Sequence, residues 1–211
     1  MNVGDLQNHW QRTYQGKAEH EVSWTQASPE PSLSLVTETA PSHTSAIIDI
    51  GCGSSHLIDH LLQRGYSDVS ALDLSAAALA VAQTRLREQA AGVDWIVADI
   101  TTWAAPKNRY DVWHDRATFH FLVQDADRAA YLARMNQALT VDGHAIIATF
   151  DLDGPERCSG LPVMRYDPAA LAHTLGPDFT LIDSRHHRHL TPWGAKQSFQ
   201  FSIFRRRPKS E

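Results

Sequence analysis

Residues 47–56 have the sequence IIDIGCGSSH, in which an apolar run containing an acid is followed by two glycines one residue apart. The apolar run predicts a buried β-strand, and the residues that follow favour a helix. Because glycine has no Cβ, Gly51 and Gly53 allow backbone amides and the N-terminus of that helix to approach a ligand closely. A dinucleotide-binding loop would favour a third small residue at position 56, where this chain has His56. The stretch therefore predicts a loop for a nucleotide-containing cofactor, and a dinucleotide is the less favoured choice.

The composition is that of an ordinary globular protein. The chain has 211 residues, of which 43% are hydrophobic and 20% charged, enough for one domain with a full core. We expect no membrane partner, because no apolar stretch approaches the roughly 18 residues of a membrane span. The first residues lack the basic start and apolar segment of a secretory signal, so we expect a cytoplasmic protein. The net charge of −5 argues against nucleic acid as a partner, and we expect the basic run at residues 205–209 to be a solvated tail.

The cysteines and histidines do not predict a metal site or a disulfide. Cys52 and Cys158 have no paired spacing and lie in unlike contexts. His187 and His189 share one face of a predicted strand, but two ligands without a third are more typical of a polar sheet face.

Beyond residue 45, short β-branched runs alternate with longer helical stretches, which is typical of a parallel sheet flanked by helices. The predicted strands are residues 46–50, 69–73, 94–98, 110–114, 144–150, 179–188 and 197–204. The turn at residues 191–194 is too short for a helical crossover, so the last two strands must be antiparallel. We therefore predict an α/β fold, a three-layer sandwich around a mostly parallel seven-stranded sheet whose last strand is antiparallel. Residues 1–45 show no sustained period and are predicted to form a cap or lid on a domain of residues 46–211.

Acidic residues lie near the ends of three predicted strands. Asp73 ends the second strand 20 residues after Gly53, and Asp99 follows the third. A carboxylate at position 73 can accept hydrogen bonds from both hydroxyls of a ribose. Asp99 can accept from an adenine amino group, while the amide of Ile100 serves a ring nitrogen. The structural alternatives are a helix-start acid for Asp73, turn hydrogen bonds for Asp99, and for Asp49 a carboxylate that fixes the glycine loop.

Residues 49–53, 71–75, 98–100 and 114–121 together resemble the motifs of the small bacterial class I S-adenosylmethionine-dependent methyltransferases. The resemblance covers roughly residues 46–150 and implies S-adenosylmethionine as cofactor and S-adenosylhomocysteine as product. The family's frequent third glycine is Ser55 here, whose amide remains free to act. The cofactor-binding residues implied or predicted are Trp10, Tyr14, Asp49, Gly51, Cys52, Gly53, Asp73, Leu74, Asp99, Ile100 and His114. The tryptophan-bearing N-terminus also resembles that of related lysine methyltransferases that act on elongation factors.

The segment after the fourth predicted strand mixes ionisable and aromatic residues. By the resemblance it contributes to the acceptor pocket, with His114, Asp115 and Arg116 on the methyl-donor side. If the acceptor is an amine, His120 or Asp115 is the candidate base; a thiol needs only a His or Arg that favours thiolate. The predicted catalytic residues are therefore His120, Asp115 and Arg116. The structural alternative is an ion pair between Asp115 and Arg116 and a histidine satisfied within a helix.

The predicted activity is transfer of a methyl group by in-line displacement to a small-molecule nucleophile such as a thiol or an amine. The residues expected at the acceptor are Trp24, Phe119, Cys158 and Arg165. Methylation of a protein side chain of the lysine type and a non-catalytic S-adenosylmethionine-binding module both stay open. Nucleic-acid bases are disfavoured, because neither an Asn/Asp-Pro-Pro-Tyr segment nor a Pro-Cys pair follows the fourth strand.

Overall fold

A computed structural model describes residues 3–208 of the chain. Its α-helices are α1 (Val3–Gly16), α2 (Ser32–Thr39), α3 (Leu57–Gln63), α4 (Ala76–Leu86), α5 (Asp125–Ala138) and α6 (Pro168–Leu175). Its strands are β1 (Ile47–Ile50), β2 (Val69–Asp73), β3 (Val93–Val97), β4 (Tyr110–Arg116), β5 (Leu139–Phe150), β6 (Arg157–Cys158), β7 (Leu161–Pro162), β8 (Phe179–Leu190) and β9 (Lys196–Arg206). Residues 1–2 of the predicted cap and residue 209 of the predicted basic tail lie outside the described residues.

Seven of these strands form one mixed sheet in the order β3-β2-β1-β4-β5-β9-β8. Strands β1 to β5 pair in parallel, while β9 runs antiparallel to both of its neighbours, β5 and β8. Strands β6 and β7 form a separate small hairpin. The predicted fold class is therefore confirmed, including the antiparallel last strand.

The core lies on both faces of the sheet. Because side chains alternate along a strand, Ile47 and Ile48 of β1 belong to different halves of the core. Residues of α2, α3 and α4 complete one half, and residues of α5 and α6 complete the other. This arrangement is the predicted three-layer sandwich. No helix within residues 3–208 has the length and apolar character needed to cross a membrane.

Local capping signals account for two helix starts. Ser75 precedes α4, and its hydroxyl accepts a hydrogen bond from the amide of Ala78 at 3.2 Å. Asp167 precedes α6 and accepts from Ala170 at 2.7 Å, with Pro168 in the first turn, where a missing amide costs nothing. Serine and aspartate are among the residue types most favoured at this position before a helix.

The N-terminal segment and β4 differ from the prediction. Residues 3–16 form helix α1, whose side chains at positions 6, 10 and 14 recur every four residues and all reach the cavity described below. Strand β4 continues to Arg116, so Asp115 and Arg116 lie in the strand instead of in the loop after it.

The C-terminal half holds three further differences. Strand β5 begins at Leu139, and its register against β4 shifts where Asp142 adopts a φ of +62°. The connection between β5 and α6, in which no strand was predicted, contains the hairpin of β6 and β7. The basic run is not a solvated tail, because Arg206 belongs to β9 and its buried guanidinium donates to Asn136 and Asn108 at 3.0 and 2.9 Å.

Candidate active site

A cavity lies at the carboxyl ends of β1, β2, β3 and β4, between the sheet and the N-terminal segment. Ligands bind at this edge in open parallel sheets, because loops and helix N-termini converge there. The sequence-predicted residues that line it are Trp10, Tyr14, Trp24, Asp49, Gly51, Cys52, Asp73, Leu74, Asp99, Ile100, His114, Arg116 and Cys158. Gly53, Asp115, Phe119, His120 and Arg165 lie outside its lining.

The glycine loop after β1 requires glycine at both positions. Gly51 and Gly53 have φ of +62° and +57°, the left-handed region that residues with a Cβ rarely adopt. A Cβ at Gly51 would overlap the side chain of Thr118, and one at Gly53 would overlap the hydroxyl of Tyr14. The loop is therefore packed directly against helix α1, which explains why Gly53 does not line the cavity itself.

Asp49 is held by a chain of hydrogen bonds that was not predicted from the sequence. Its Oδ1 lies 2.6 Å from Nδ1 of His114, and Nε2 of that imidazole lies 2.9 Å from the hydroxyl of Ser32. All three side chains are buried and line the cavity. Because a carboxylate only accepts, Nδ1 is the donor to Asp49. The second oxygen, Oδ2 of Asp49, is buried and has no hydrogen-bond partner within the described residues.

Asp73 fixes the glycine loop to the start of α4. Its Oδ2 accepts from the amide of Gly53 at 2.9 Å, and its Oδ1 accepts from the amide of Ser75 at 2.8 Å. Burial raises the pKa of Asp73 to about 6, although these two backbone hydrogen bonds act in the opposite direction. Asp99 is partly exposed and accepts from the amide and hydroxyl of Thr101, both at 2.8 Å. Asp73 and Asp99 thus make the hydrogen bonds expected of a helix-start acid and of a turn acid, which were the structural alternatives for them. Both also line the cavity.

Aromatic side chains of the N-terminal segment cover the cavity. The ring of Trp10 lies 5.7 Å from that of Trp24 and 5.2 Å from that of Phe121, both in edge contacts. Tyr14 joins the group at 6.0 Å from Trp24. Helix α1 is fastened beside them, since Gln11 accepts from the Ser75 hydroxyl at 3.0 Å. Edge contacts of this kind are favourable beyond simple burial and fix the rings relative to each other.

Arg116 is a partly buried cation on the other side of the cavity. Its Nη1 donates to the carbonyl of Trp24 at 3.1 Å, and its guanidinium lies 5.6 Å from the ring centre of Phe199. Its Nη2 is buried without a hydrogen-bond partner in residues 3–208. Burial lowers the pKa of Arg116 to about 10, so the group is charged at neutral pH.

The expectation that Asp115 or His120 acts as a base at the cavity does not agree with where these side chains lie. Asp115 is fully buried, accepts from the Tyr131 hydroxyl at 2.6 Å and from the amide of Thr118 at 2.8 Å, and forms no ion pair with Arg116. His120 is also fully buried, with both ring nitrogens unpartnered among the described residues. Burial lowers the pKa of His120 to about 3, which keeps the imidazole neutral.

Two residues expected at the acceptor also lie away from the cavity. Phe119 is fully buried and packs against the rings of Tyr131 and Tyr166 at 4.9 and 5.7 Å, as a core residue. Arg165 donates to the carbonyl of Gly154 and pairs with Glu156, each at 3.1 Å. Cys158 does line the cavity as a free thiol, and burial raises its pKa to about 12.

Several residues that line the cavity were not predicted from the sequence. Ser32 comes from the start of α2, Phe150 from the end of β5, and Gln197 and Phe199 from β9. Gln197 and Phe199 are two residues apart in a predicted strand and therefore share one face, so the sequence pattern indicated that their side chains lie together. No local sequence pattern indicated a role for Ser32, because its hydrogen-bond partner His114 is 82 residues away. No group of three or more His, Cys, Asp or Glu side chains suited to a metal ion occurs in residues 3–208.

The chain is similar to known methyltransferases. The family model described as a methyltransferase domain matches residues 47–143. The 2-heptyl-1-hydroxyquinolin-4(1H)-one methyltransferase of Mycobacteroides abscessus is 25% identical over 167 residues, which cover 74% of this chain and 72% of that protein. Trans-aconitate 2-methyltransferase of Acidovorax sp. (strain JS42) is 34% identical over 125 residues, 58% of this chain but only 44% of that protein.

A solved structure supports the same fold. The 1,6-didemethyltoxoflavin-N1-methyltransferase of Burkholderia thailandensis, solved with 1,6-didemethyltoxoflavin and S-adenosylhomocysteine, superposes with a TM-score of 0.70. The superposition covers 98% of this chain and 87% of the other at 21% identity, a likeness of fold alone. The strand order and this superposition show the class I methyltransferase fold, and the match to the methyltransferase-domain model together with the similar proteins supports an S-adenosylmethionine-dependent methyltransferase.

Proposed function

We propose that this methyltransferase acts on a small-molecule nucleophile by in-line displacement, with the acceptor bound beneath the aromatic N-terminal segment. The observation that carries the proposal is the cover over the cavity, in which Trp10 bridges Trp24 and Phe121. Such a cover suits a molecule that is enclosed, more than a side chain presented on a protein surface. In this proposal the segment predicted as a cap, residues 1–45, serves as the lid of the site.

The residues at the strand ends fit S-adenosylmethionine. The unpartnered Oδ2 of Asp49 is a buried acceptor suited to the ammonium group of the methionine moiety. Each carboxylate oxygen of Asp73 uses one lone pair on a backbone amide and keeps another for a ribose hydroxyl. Leu74 and Ile100 provide apolar walls for the adenine. When bound, the cofactor supplies a methyl group on a positively charged sulfur.

This chain's own residues then align the acceptor and exclude water. Trp24, Phe121, Phe150 and Phe199 give the cavity apolar walls, which favour an apolar acceptor body and keep water from the reacting atoms. Alignment alone can supply a large part of the rate enhancement for a displacement at an activated carbon.

The names of similar proteins also support a small acceptor. They are methyltransferases of a hydroxyquinolinone, of trans-aconitate and of 1,6-didemethyltoxoflavin. None of these molecules is assigned to this chain.

Two measurements test the proposal. Isothermal titration should show binding of S-adenosylhomocysteine and none of NAD, and binding of NAD alone would reject the methyl-donor site. A methyl-labelled cofactor incubated with separated small-molecule and protein fractions of a bacterial extract should label the small-molecule fraction. Label confined to protein would instead favour the protein side-chain alternative, and binding without transfer would favour a non-catalytic module.

Matched variants make the binding measurement specific. Asp73→Ala should weaken S-adenosylhomocysteine binding by about 1–3 kcal/mol, the cost of losing a charged hydrogen-bonding partner. Asp94→Ala, at an exposed position of β3 away from the cavity, should bind as the wild type does.

A further inference from the structure

We infer that the methyl acceptor is an organic anion and that Arg116 binds its negatively charged oxygen, an inference that rests on the proposed function. Arg116 lines the cavity and reaches it from the end of β4. One of its five N–H groups is used on the carbonyl of Trp24, and Nη2 has no partner within residues 3–208. The planar guanidinium therefore keeps donors for a carboxylate or an acidic hydroxyl oxygen.

The charge of Arg116 is not balanced by the protein around it. Within the described part of the chain, no ion pair joins Arg116 to a carboxylate, and its polar contact is a neutral carbonyl. Three acidic groups lie near enough to stabilise the cation, namely Asp49, Cys158 and Tyr14. Burial raises the pKa of both Cys158 and Tyr14, so these two are neutral at pH 7.

Asp49 is the remaining acid, and it is already engaged. Its Oδ1 accepts from His114, and its Oδ2 is the acceptor that we assign to the cofactor. A partly buried cation without a counter-charge is costly, and a bound anion would offset that cost. The cavity thus favours an acceptor with a negative charge on an apolar body, since Trp24 and Phe199 flank the guanidinium.

An anionic acceptor also matches the positions of the two bases expected from the sequence, which lie away from the cavity. In the transfer, a lone pair of the acceptor oxygen forms the new bond to the methyl carbon as the carbon–sulfur bond breaks. The electron pair of that bond stays on sulfur, so the anion and the sulfonium both become neutral and no proton has to leave. Neither Asp115 nor His120, the two bases expected from the sequence, reaches the cavity. The reaction with an anion does not need them.

A labelling experiment identifies the charge class of the acceptor. Small molecules of a bacterial extract are separated on an anion-exchange resin at pH 8 into a retained and an unretained fraction. Each fraction is incubated with the 211-residue enzyme and methyl-labelled S-adenosylmethionine, and labelled products are resolved by mass spectrometry. We expect label from the retained fraction. Label only from the unretained fraction would overturn the anion inference and leave the proposed function intact, whereas no label from either would overturn the proposed function itself.

Variants of Arg116 then test its assigned role, with the acceptor identified by the labelling experiment as the substrate. Arg116→Gln should raise the KM for this acceptor by about 10- to 100-fold, the loss of a charge-assisted pair, and keep S-adenosylhomocysteine affinity within about twofold. Arg116→Lys should recover part of the loss because it restores the charge without the planar donors. Arg109→Gln is the matched control, since this arginine pairs with Asp68 away from the cavity.

Thermal unfolding of each variant checks that it is folded. If Arg116→Gln does not fold, the KM of Arg116→Lys is compared with that of the wild type instead. An unchanged KM in a folded Arg116→Gln or Arg116→Lys enzyme would overturn the assignment. Loss of cofactor affinity together with acceptor affinity would do the same, because it would place Arg116 in the structure of the cofactor loop.

Discussion

Replacing Gly53 with alanine tests whether the cofactor loop and helix α1 are packed as tightly as the structure indicates. The backbone of Gly53 has a φ of +57°, which costs a residue with a Cβ about 1–2 kcal/mol. The added Cβ would also lie closer than 3.0 Å to the hydroxyl oxygen of Tyr14. Overpacking of this kind costs about 1–3 kcal/mol. We therefore expect Gly53→Ala to lower the free energy of unfolding by roughly 2–5 kcal/mol.

Two companion variants separate the backbone cost from the overlap. Gly65→Ala has a similar φ of +86°, but its Cβ would lie at an ordinary 3.9 Å from His43, so we expect only the backbone cost of about 1–2 kcal/mol. Adding Tyr14→Phe to Gly53→Ala removes the overlapping oxygen and leaves Cζ at 3.2 Å, which should recover most of the difference. Urea unfolding followed by tryptophan fluorescence measures all three. Equal losses in Gly53→Ala and Gly65→Ala, with no recovery from Tyr14→Phe, would refute the reasoning.

Three further predictions concern buried groups. Because burial raises the pKa of Asp73 to about 6, the carboxylate that we propose to bind the ribose becomes protonated as the pH falls through 6. Calorimetry should then show S-adenosylhomocysteine affinity falling by up to about tenfold per pH unit below 6, and Asp73→Asn should remove that dependence; a flat wild-type profile would contradict the assignment. Tyr131→Phe removes the hydroxyl that donates to Asp115 and accepts from Trp113, so urea unfolding should show a loss of about 1–3 kcal/mol with cofactor affinity unchanged. If Tyr131→Phe instead lowered methyl transfer without a loss of stability, Asp115 would have a role in catalysis. His120→Phe replaces an imidazole whose nitrogens have no partners in residues 3–208, so stability and turnover should both persist, and a folded but inactive variant would show that His120 acts in catalysis.

The predictable parts of the fold are those that depend on local sequence. They are helix starts fixed by one capping side chain and strands marked by a short run of apolar residues. Ser75 and Asp167 cap the helices that follow them. Strand β2 has the predicted bounds, because its first four residues are apolar or small and all five of its residues are buried. It was also predictable that the acids near the strand ends lie close together, because a parallel sheet brings those ends to one edge whatever the loops between them contain.

The error in the segment after the fourth strand has a physical cause. Its charged residues Asp115 and Arg116 were expected in a loop, but they lie in β4, where side chains alternate between the two faces. His114 and Arg116 are two residues apart and both line the cavity, whereas Asp115 points to the other face and meets Tyr131. Burial of an ionisable side chain depends on partners far away in the sequence, which a local pattern does not reveal.

The N-terminal segment holds both halves of the site together. Tyr14 packs on Gly53, and Ser32 closes the hydrogen-bond chain through His114 to Asp49, so both contacts reach the cofactor loop. The same segment supplies the Trp24 carbonyl that binds Arg116 on the acceptor side. A displacement of this segment would therefore disturb the donor and the acceptor positions at once. Since in-line transfer depends on the alignment of those two positions, we propose that the segment contributes to the reaction through geometry even where it carries no reacting group.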